Sequence, residues 1–463
     1  MSVLMSATPI LLLGVGVFYL FRLRGFCFLH PVRCLCALFG HRPSGGISPF
    51  RALTVALAGT LGVGNIVGVA SALYLGGPGA VLWMMVSALV AMLLKYAEIT
   101  LAVRHRRTEA DGSPTGGAHY YIRDGLAARD LPRVGQVLAA VFALLCLVNA
   151  ITMGSFLQVN AVAGAMEEGF SIPPWLTGGL VAVLAVIAVG GGARRIAALT
   201  EKLVPFMTVG FLLVTLAVLI LRRERIPAAL ASIWEDALRP RGVGAGMLGF
   251  MTSKGIRYGV MRGLVSNEAG CGTAPMAHAA ANTDLPARQG LFGLVEVFVD
   301  TVLLCSLTAL CILVSDSGPA AFGEDTVRTA QAAFSSTLGS WAGGFFALSI
   351  LLFGVATVLC WAHYGMTATR YLAPRGEKRA RAAETLYTVV LAASLLLGAV
   401  SAPRLAWTLA DVAIAVMTLL NLFVLLLLHR EVVEETEQLF PRHRKPASCI
   451  GCKGKPSERR HPS

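Results

Sequence analysis

Charged residues are scarce in this sequence, and their scarcity excludes most soluble architectures. They make up 14% of the 463 residues, whereas 56% of the residues are hydrophobic and the mean hydropathy is +0.69. A soluble domain cannot bury so much apolar side-chain surface. The composition therefore predicts a polytopic membrane protein.

Several functional signatures are also missing. The ten cysteines lack the spacing of a secreted disulfide framework and lie mostly in apolar stretches, so we interpret them as packing residues. The sequence contains neither HExxH nor GxSxG, which argues against a membrane-embedded hydrolase. A lone CxxC pair, Cys449 and Cys452, lacks the second pair typical of a zinc site. The formal charge of +13 lies largely in loops and in the tail after His429, so no nucleic-acid partner is expected.

Apolar runs long enough to cross a bilayer core recur along the chain. They predict an all-α fold with about eleven transmembrane helices. The first run has no basic residue before it and is followed by Arg22 and Arg24, which is typical of an uncleaved anchor with an outer N-terminus. The runs lie near residues 8–24, 50–74, 79–103, 135–164, 175–191, 197–221, 244–281, 290–315, 341–371, 383–401 and 404–428.

The loop charges favour an outer N-terminus and an inner C-terminus. With that orientation, the basic clusters within 104–133, 194–202 and 375–381 fall in the cytoplasm, as the positive-inside rule requires. One loop disagrees, because residues 222–241 are predicted outside yet contain five arginines. Either the other loops outweigh this one, or the number of spans is wrong by one.

Two of the apolar runs are interrupted at positions where a continuous helix is expected. The stretch AGTLGVGNIVG (58–68) contains four glycines and Asn65, and MRGLVSNEAGCGTAPMAHAAA (261–281) contains Asn267, Glu268 and several glycines. In hydrocarbon, irregular backbone persists only where it is buried in protein or lines a polar cavity. Paired interruptions in two halves of a chain are typical of the binding site of a secondary transporter.

The interruptions also organise the chain into two sets of five helices. Each set opens with an interrupted run, and the first run is an extra N-terminal helix. The predicted parts are an N-terminal helix with a basic loop (1–49), a first repeat (50–221), an outer connection (222–243), a second repeat (244–430) and a disordered basic cytoplasmic tail (431–463).

Broken helices expose groups that suit a zwitterion and a cation. Freed N–H groups at a half-helix N-terminus attract a carboxylate, and freed carbonyls at the opposite end attract a small cation such as sodium. The glycines could instead serve only close helix packing. A channel is a further alternative, although a pore favours rings of like residues and repeated filter loops.

Long stretches of the sequence resemble the alanine or glycine:cation symporter family, the sodium:alanine symporters. They are GTLGVGNIVGVASALYLGGPGAVLWMMVSALVAMLLKYAEITLAVRHR (59–106) and RGLVSNEAGCGTAPMAHAAANTDLPARQGLFGLVEVFVDTVLLCSLTALCILVS (262–315), together with ISPFRALTVALAGT (47–60) and GGAHYYI (116–122). The resemblance implies a LeuT-like inverted repeat in the cell membrane that imports a small neutral amino acid with sodium. A proton as coupling ion stays an alternative, and we expect a monomer in membrane lipid.

The resemblance also implies a set of site residues. The sodium site would combine carbonyls around Gly59 and Gly62 with the Thr357 hydroxyl. In the fourth run the family motif points to Gln158, whereas Asn160 lies on the face of Asn149 and has a helix contact as its alternative role. The implied substrate residues are Thr60, Gly62, Gly64, Asn65, Gln158, Gly270, Gly272, Thr273 and Trp361.

Three positions depart from the family pattern. Ala356 replaces the usual serine, Met366 replaces the usual glutamate, and Val63 replaces a hydroxyl-bearing residue. These changes remove side-chain oxygen near the implied cation site, so the ion, its stoichiometry and the substrate preference stay open.

Ionisable residues within the apolar runs are functional candidates. Lys95 and Glu98 are expected to pair within one helix. Glu296 and Asp300 lie one turn apart and suit either a proton relay or a gate sealed by arginines. His278 is interpreted as a packing or gate residue, and Asp411 is placed near the outer end of the last run with its burial undetermined.

Overall fold

The computed structural model describes residues 2–39, 47–108, 114–238, 254–373 and 376–441. Helices dominate these ranges, and two short strands, β1 (Arg107–Thr108) and β2 (Pro114–Thr115), pair antiparallel. The predicted CxxC pair, Cys449 and Cys452, lies outside the described residues.

The first part of the chain contains an N-terminal helix, a helix broken near its middle and the helices that pack around it. Their bounds are α1 (Ser2–Arg22), α2 (Phe26–Leu29), α3 (Pro31–Phe39), α4 (Pro49–Thr60), α5 (Val67–Gly76), α6 (Ala80–Arg104), α7 (Ala118–Ala127), α8 (Pro132–Ile151), α9 (Gln158–Phe170), α10 (Pro174–Leu221) and α11 (Ile226–Leu238). A π-helical segment, Thr152–Leu157, joins α8 to α9.

The second part repeats this plan and also opens with a broken helix. Its helices are α12 (Lys254–Asn267), α13 (Pro275–His278), α14 (Pro286–Val297), α15 (Ser306–Val314), α16 (Thr326–Leu338), α17 (Trp341–Leu372), α18 (Glu377–Val400) and α19 (Pro403–Leu439). A second π-helical segment, Phe298–Cys305, joins α14 to α15.

The predicted all-α membrane architecture is confirmed. Within the described ranges, seven helices are long and apolar enough to cross a membrane, and shorter apolar helices cover Ser6–Arg22, Val67–Gly76 and Pro174–Gly190. The runs predicted at 50–74 and 244–281 coincide with the two broken helices, although residues 239–253 lie outside the description.

The helix α10 accounts for two predicted spans. Its 48 residues would extend about 72 Å if straight, whereas a bilayer core is about 30 Å thick. Glu201, near its middle, pairs with Arg51 at the start of α4, whereas Arg222, just after its end, pairs with Asp316 beyond α15. The runs predicted at 175–191 and 197–221 are therefore two parts of one continuous helix.

Two predicted boundaries differ from the structure. The connection 222–243 contains the helix α11, so it is not an irregular loop. The tail predicted to begin at 431 is still helical through Leu439. Packing explains this extension, because Val432, Glu435 and Thr436 are buried against the rest of the protein.

The arginine-rich connection lies beside an acidic loop. Arg225 Nη1 is 2.7 Å from Asp316 Oδ1, and Arg222 pairs with the same carboxylate. The hydrogen bond from Arg225, followed by that from Arg222, holds the pKa of Asp316 below its ordinary value. The contact brings the connection after α10 and the loop after α15 to the same side of the molecule.

Candidate functional site

The first break is stabilised by two side-chain amides. The helix α4 ends at Thr60, and a 3-10 turn, Val63–Asn65, precedes α5. The Gly62 N–H donates to Asn65 Oδ1 at 3.0 Å, and the Val63 N–H donates to Gln158 Oε1 at 3.1 Å. These bonds satisfy backbone groups that a continuous helix would have paired, so the break is compatible with a buried position.

The second break depends on left-handed backbone. Glu268, Gly270 and Gly272 have φ angles of 53°, 88° and 80°. Glycine adopts such angles without strain, but Glu268 does not, and strained non-glycine residues are concentrated at functional sites. Asn267 Oδ1 accepts from the Ala269 N–H at 3.0 Å and closes the turn.

The two breaks lie side by side. A Cβ placed on Gly64 would be 3.2 Å from the Cα of Ser266, so the glycine permits direct backbone contact. Asn65 Nδ2 donates to Ser266 Oγ at 2.9 Å and to Asp300 Oδ1 at 2.6 Å. The asparagine therefore connects both breaks to the π-helical segment of the second half.

Glu268 links two predicted substrate residues and was missing from the predicted set. Its Oε1 accepts from Trp361 Nε1 at 2.8 Å, and its Oε2 accepts from Thr273 Oγ1 at 2.7 Å. The side chain is fully enclosed, with a residue exposure of 1%. The sequence signal that could have identified it is an ionisable residue inside an interrupted apolar run.

Thr357 lies against the end of α4. Its Oγ1 is 3.1 Å from the Ala58 carbonyl oxygen, 3.0 Å from that of Phe353 and 3.5 Å from that of Leu61. One hydroxyl proton serves one acceptor at a time. Three backbone carbonyl oxygens, from the end of α4 and from α17, therefore lie around this hydroxyl, and oxygen is the ligand that small hard cations prefer.

The carbonyls beside Thr357 belong to the immediate neighbours of the predicted glycines. Ala58 precedes Gly59 and Leu61 precedes Gly62. A Cβ placed on Gly59 would be 3.0 Å from Cys360 Sγ and 3.3 Å from the Tyr364 hydroxyl oxygen, whereas one placed on Gly62 would be 2.6 Å from Thr357 Oγ1.

The structure brings some predicted substrate residues together and separates others. Gly62 lies beside Thr357 and Gln158, since an added Cβ would be 2.6 Å and 2.8 Å from their side-chain oxygens. The Gly270 carbonyl instead accepts from Asn421 on α19, and Gly272 packs on Ala118 and Phe142. Thr60 Oγ1 is 3.4 Å from Ala56 O in its own helix.

Asn160 makes the helix contact that was considered as its alternative role. Its Nδ2 donates to Gly398 O at 2.9 Å and to Ser401 O at 2.7 Å. Gln158, two residues earlier, faces the first break. Helical phase separates the two side chains, as the sequence indicated.

The expected pair between Lys95 and Glu98 is wrong. Lys95 Nζ lies 3.3 Å from Glu296 Oε1, and both side chains are fully buried. Glu98 Oε1 instead accepts from Asn421 Nδ2 at 2.6 Å. Tertiary packing of α6 on α14 and α19 offers these partners, so proximity within one helix does not decide the pairing.

Glu296 and Asp300 are not sealed by arginines within the described residues. His278 Nε2 is 3.1 Å from Glu296 Oε2, which gives His278 a place in a buried polar network. Asp300 accepts from Asn65, from Ser266 Oγ at 2.7 Å and from Thr301 Oγ1 at 2.6 Å.

A buried ion pair joins the second broken helix to α19. Arg262 on α12 contacts both carboxylate oxygens of Asp411 on α19, at 2.5 and 3.0 Å, and its guanidinium lies 4.1 Å from the Trp407 ring centroid. Asp411 is 8% exposed, which gives the burial that the sequence left undetermined. The pair forms one wall of a cavity of about 260 Å³.

Two broken helices in contact, a central α17 that touches both, and a site closed from solvent define the LeuT fold. MhsT, solved in complex with L-phenylalanine, has this fold. It superimposes with a TM-score of 0.60 at 14% identity over 86% of this chain and 93% of its own.

The chain belongs to the sodium:alanine symporter family, whose model matches residues 1–448. It is 37% identical to the sodium/alanine symporter AgcS of Methanococcus maripaludis, over 92% of this chain and 93% of that protein. An uncharacterized transporter of Haemophilus influenzae is also 37% identical, over 94% of this chain and 93% of that protein. The protein is therefore a multi-pass membrane protein and a cation-coupled amino acid symporter. It is not an enzyme.

Proposed function

We propose that the protein imports a small neutral amino acid of the alanine or glycine class together with sodium, by alternating access. The observation that carries the proposal is the meeting of both breaks on α17, where Thr357 lies against the first break and Trp361 against the second. The name of AgcS supports the same substrate and ion.

In this proposal sodium binds among the oxygens around Thr357. The carbonyls of Ala58 and Leu61 come from the end of α4, and that of Phe353 comes from α17. Half-helix ends of this kind coordinate sodium in broken-helix transporters. Sodium binding would therefore fix α17 against the first break.

The amino acid would lie between the breaks, with its ammonium group on Glu268. The Glu268 carboxylate is buried and receives hydrogen bonds from two neutral donors, so a cationic group would complete its environment. The ammonium group of the substrate is such a cation. The substrate carboxylate would face the N–H groups near Gly62 and Gly64.

The packing of Trp361 favours a small substrate. A Cβ on Gly154 would lie 2.3 Å from the Cβ of Trp361, so the tryptophan is pressed against the backbone of the π-helical segment. The indole has little room to retreat from a longer substrate side chain. This contact supports alanine or glycine over larger amino acids.

Proton coupling is the second candidate, and Asp300 is the observation that favours it. This carboxylate is fully buried, accepts three hydrogen bonds and lies at the contact between the two breaks. Ala356 and Val63 also lack the hydroxyls of the family pattern. Protonation of Asp300 could then replace sodium binding as the coupled step.

Uptake into proteoliposomes distinguishes the two. Labelled alanine and glycine are offered with an inward sodium gradient, with choline in place of sodium, and with an imposed pH gradient. We expect sodium-dependent accumulation of both amino acids. Proton coupling would be supported instead if uptake in choline equalled uptake in sodium, was driven by the pH gradient and was lost in Asp300→Asn.

A further inference from the structure

A cleft at the junction of α1 and α19 lies outside the transport site. It has a volume of about 600 Å³ and is formed by the last turn of α1 and by the part of α19 that extends past the apolar run. Its lining residues are Phe18, Phe21, Arg22, Arg24, Val433 and Glu437.

The cleft presents two arginines where the apolar run of α1 ends. Arg22 and Arg24 are exposed, and within the described chain their guanidinium groups have no ion pair or hydrogen bond. An arginine at this position lies at the level of the lipid headgroups. Glu437 is the acidic lining residue, so the lining carries a net positive charge.

Apolar side chains beside these arginines face outward. Phe21, Leu29 and Phe28 are 76%, 69% and 42% exposed. Because they adjoin the end of a membrane-spanning run, these surfaces suit acyl chains. A free phosphate ion would use the arginines but would leave the apolar surface unoccupied.

We propose that the cleft binds an anionic phospholipid, with its phosphate on Arg22 and Arg24 and its acyl chains along Phe21. Basic pockets between transmembrane helices are a recurrent means of recognising such headgroups. Guanidinium groups are well matched to phosphate oxygens.

The lipid would strengthen a contact that already joins α1 to α19. Tyr19 donates from its hydroxyl to Leu425 O at 2.7 Å, and the Phe18 ring meets the His429 ring edge-on with centroids 5.3 Å apart. The same α19 carries Asn421, which donates to Gly270 O in the second break. A bound lipid would therefore hold the helix that supports the site.

Lipid binding is measured by native mass spectrometry of the full-length protein with phosphatidylglycerol or phosphatidylcholine added. We expect phosphatidylglycerol to bind more tightly, and Arg22→Gln with Arg24→Gln to weaken its binding about tenfold or more. Arg133→Gln, which removes an exposed arginine at the start of α8, is the matched control and should bind as the unchanged protein does.

Three results would overturn the proposed lipid site. The first is an unchanged affinity of the double variant for phosphatidylglycerol, the second is an equal loss of that affinity in Arg133→Gln, and the third is equal binding of phosphatidylglycerol and phosphatidylcholine. Displacement of the lipid by millimolar glycerol phosphate would overturn the role of the acyl chains.

A transport measurement adds the functional consequence and rests on the proposed function. Uptake by the unchanged protein should rise when phosphatidylglycerol is included in phosphatidylcholine vesicles, and the double variant should lose this rise. If uptake is absent in every vesicle while lipid binding follows the predicted order, the transport proposal fails and the lipid site stands.

Discussion

At the scale of single residues, Thr357 offers the sharpest test of the cation site. Thr357→Val keeps the side-chain shape and removes the oxygen that meets the carbonyls of Ala58, Leu61 and Phe353. Leaving a polar partner unmet costs about 1–3 kcal/mol, so the sodium concentration for half-maximal uptake should rise roughly tenfold. The measurement is initial uptake against sodium concentration at matched protein abundance.

Ala356→Ser is the complementary variant, since it restores the hydroxyl of the family pattern. It should lower the half-maximal sodium concentration. Normal sodium dependence in Thr357→Val would remove Thr357 from the ion site.

Glu268 carries a second residue-scale prediction. Glu268→Gln keeps an acceptor for Trp361 but removes the negative charge proposed to meet the substrate ammonium. Hydrogen bonds to charged groups contribute about 1.5–3 kcal/mol, so the alanine concentration for half-maximal uptake should rise roughly ten- to hundredfold.

The control for this variant is Glu168→Gln, which changes a surface carboxylate paired with Arg328. It should leave alanine dependence as it was. An alanine dependence in Glu268→Gln equal to that of the unchanged protein would show that Glu268 has only a structural role.

At the scale of elements, the second break depends on glycine at a left-handed position. Gly272 has φ of 80°, and an added Cβ would be 2.8 Å from Ala118 Cβ and 3.0 Å from Phe142 Cζ. The conformation alone costs alanine about 1–2 kcal/mol, so Gly272→Ala should lower the melting temperature in detergent and the yield of folded protein.

Gly210→Ala is the matched helical control, because nothing lies within 4 Å of its added Cβ. Alanine is favoured over glycine inside a helix by about 1 kcal/mol, so this variant should melt at or above the original temperature. Equal melting of both variants would show that the break tolerates side chains and carries little strain.

The elements also show a limit of sequence pattern. The two breaks could be predicted because glycine, asparagine and glutamate interrupt apolar runs. The π-helical segments Thr152–Leu157 and Phe298–Cys305 could not be predicted, because no residue pattern in TMGSFL or FVDTVLLC distinguishes a π-helical turn from an α-helical one. A π-helical turn contains one residue more than an α-helical turn. Packing against neighbouring helices stabilises that extra residue, and the local composition does not.

At the scale of the whole molecule, we predict eleven spans with the N-terminus outside and the C-terminus inside. Fusion reporters at both ends test this orientation: a periplasmic reporter should be active at the N-terminus and a cytoplasmic one at the C-terminus. Reporter insertions into 165–174 and 316–340 serve as internal controls, and both should report the outer side. An active cytoplasmic reporter at the N-terminus would rule out this topology.

The sequence by itself determined the membrane class, the number of apolar runs and the positions of the two interruptions. These properties depend on length, hydropathy and glycine content, which are local and additive along the chain. The family pattern likewise led to Gln158, Trp361 and Thr357, because each lies in a motif that can be read without its neighbours.

Only the tertiary structure decided which groups meet. Lys95 reaches Glu296 on another helix in preference to Glu98 on its own, and Glu268 joins Thr273 to Trp361 from α17. The Ala58 and Leu61 carbonyls lie near the Thr357 hydroxyl because of where α4 ends and how it packs against α17. A buried polar group bonds to the partner that packing brings within about 3 Å. Packing depends on how the helices assemble, and the spacing of residues along the chain does not determine it.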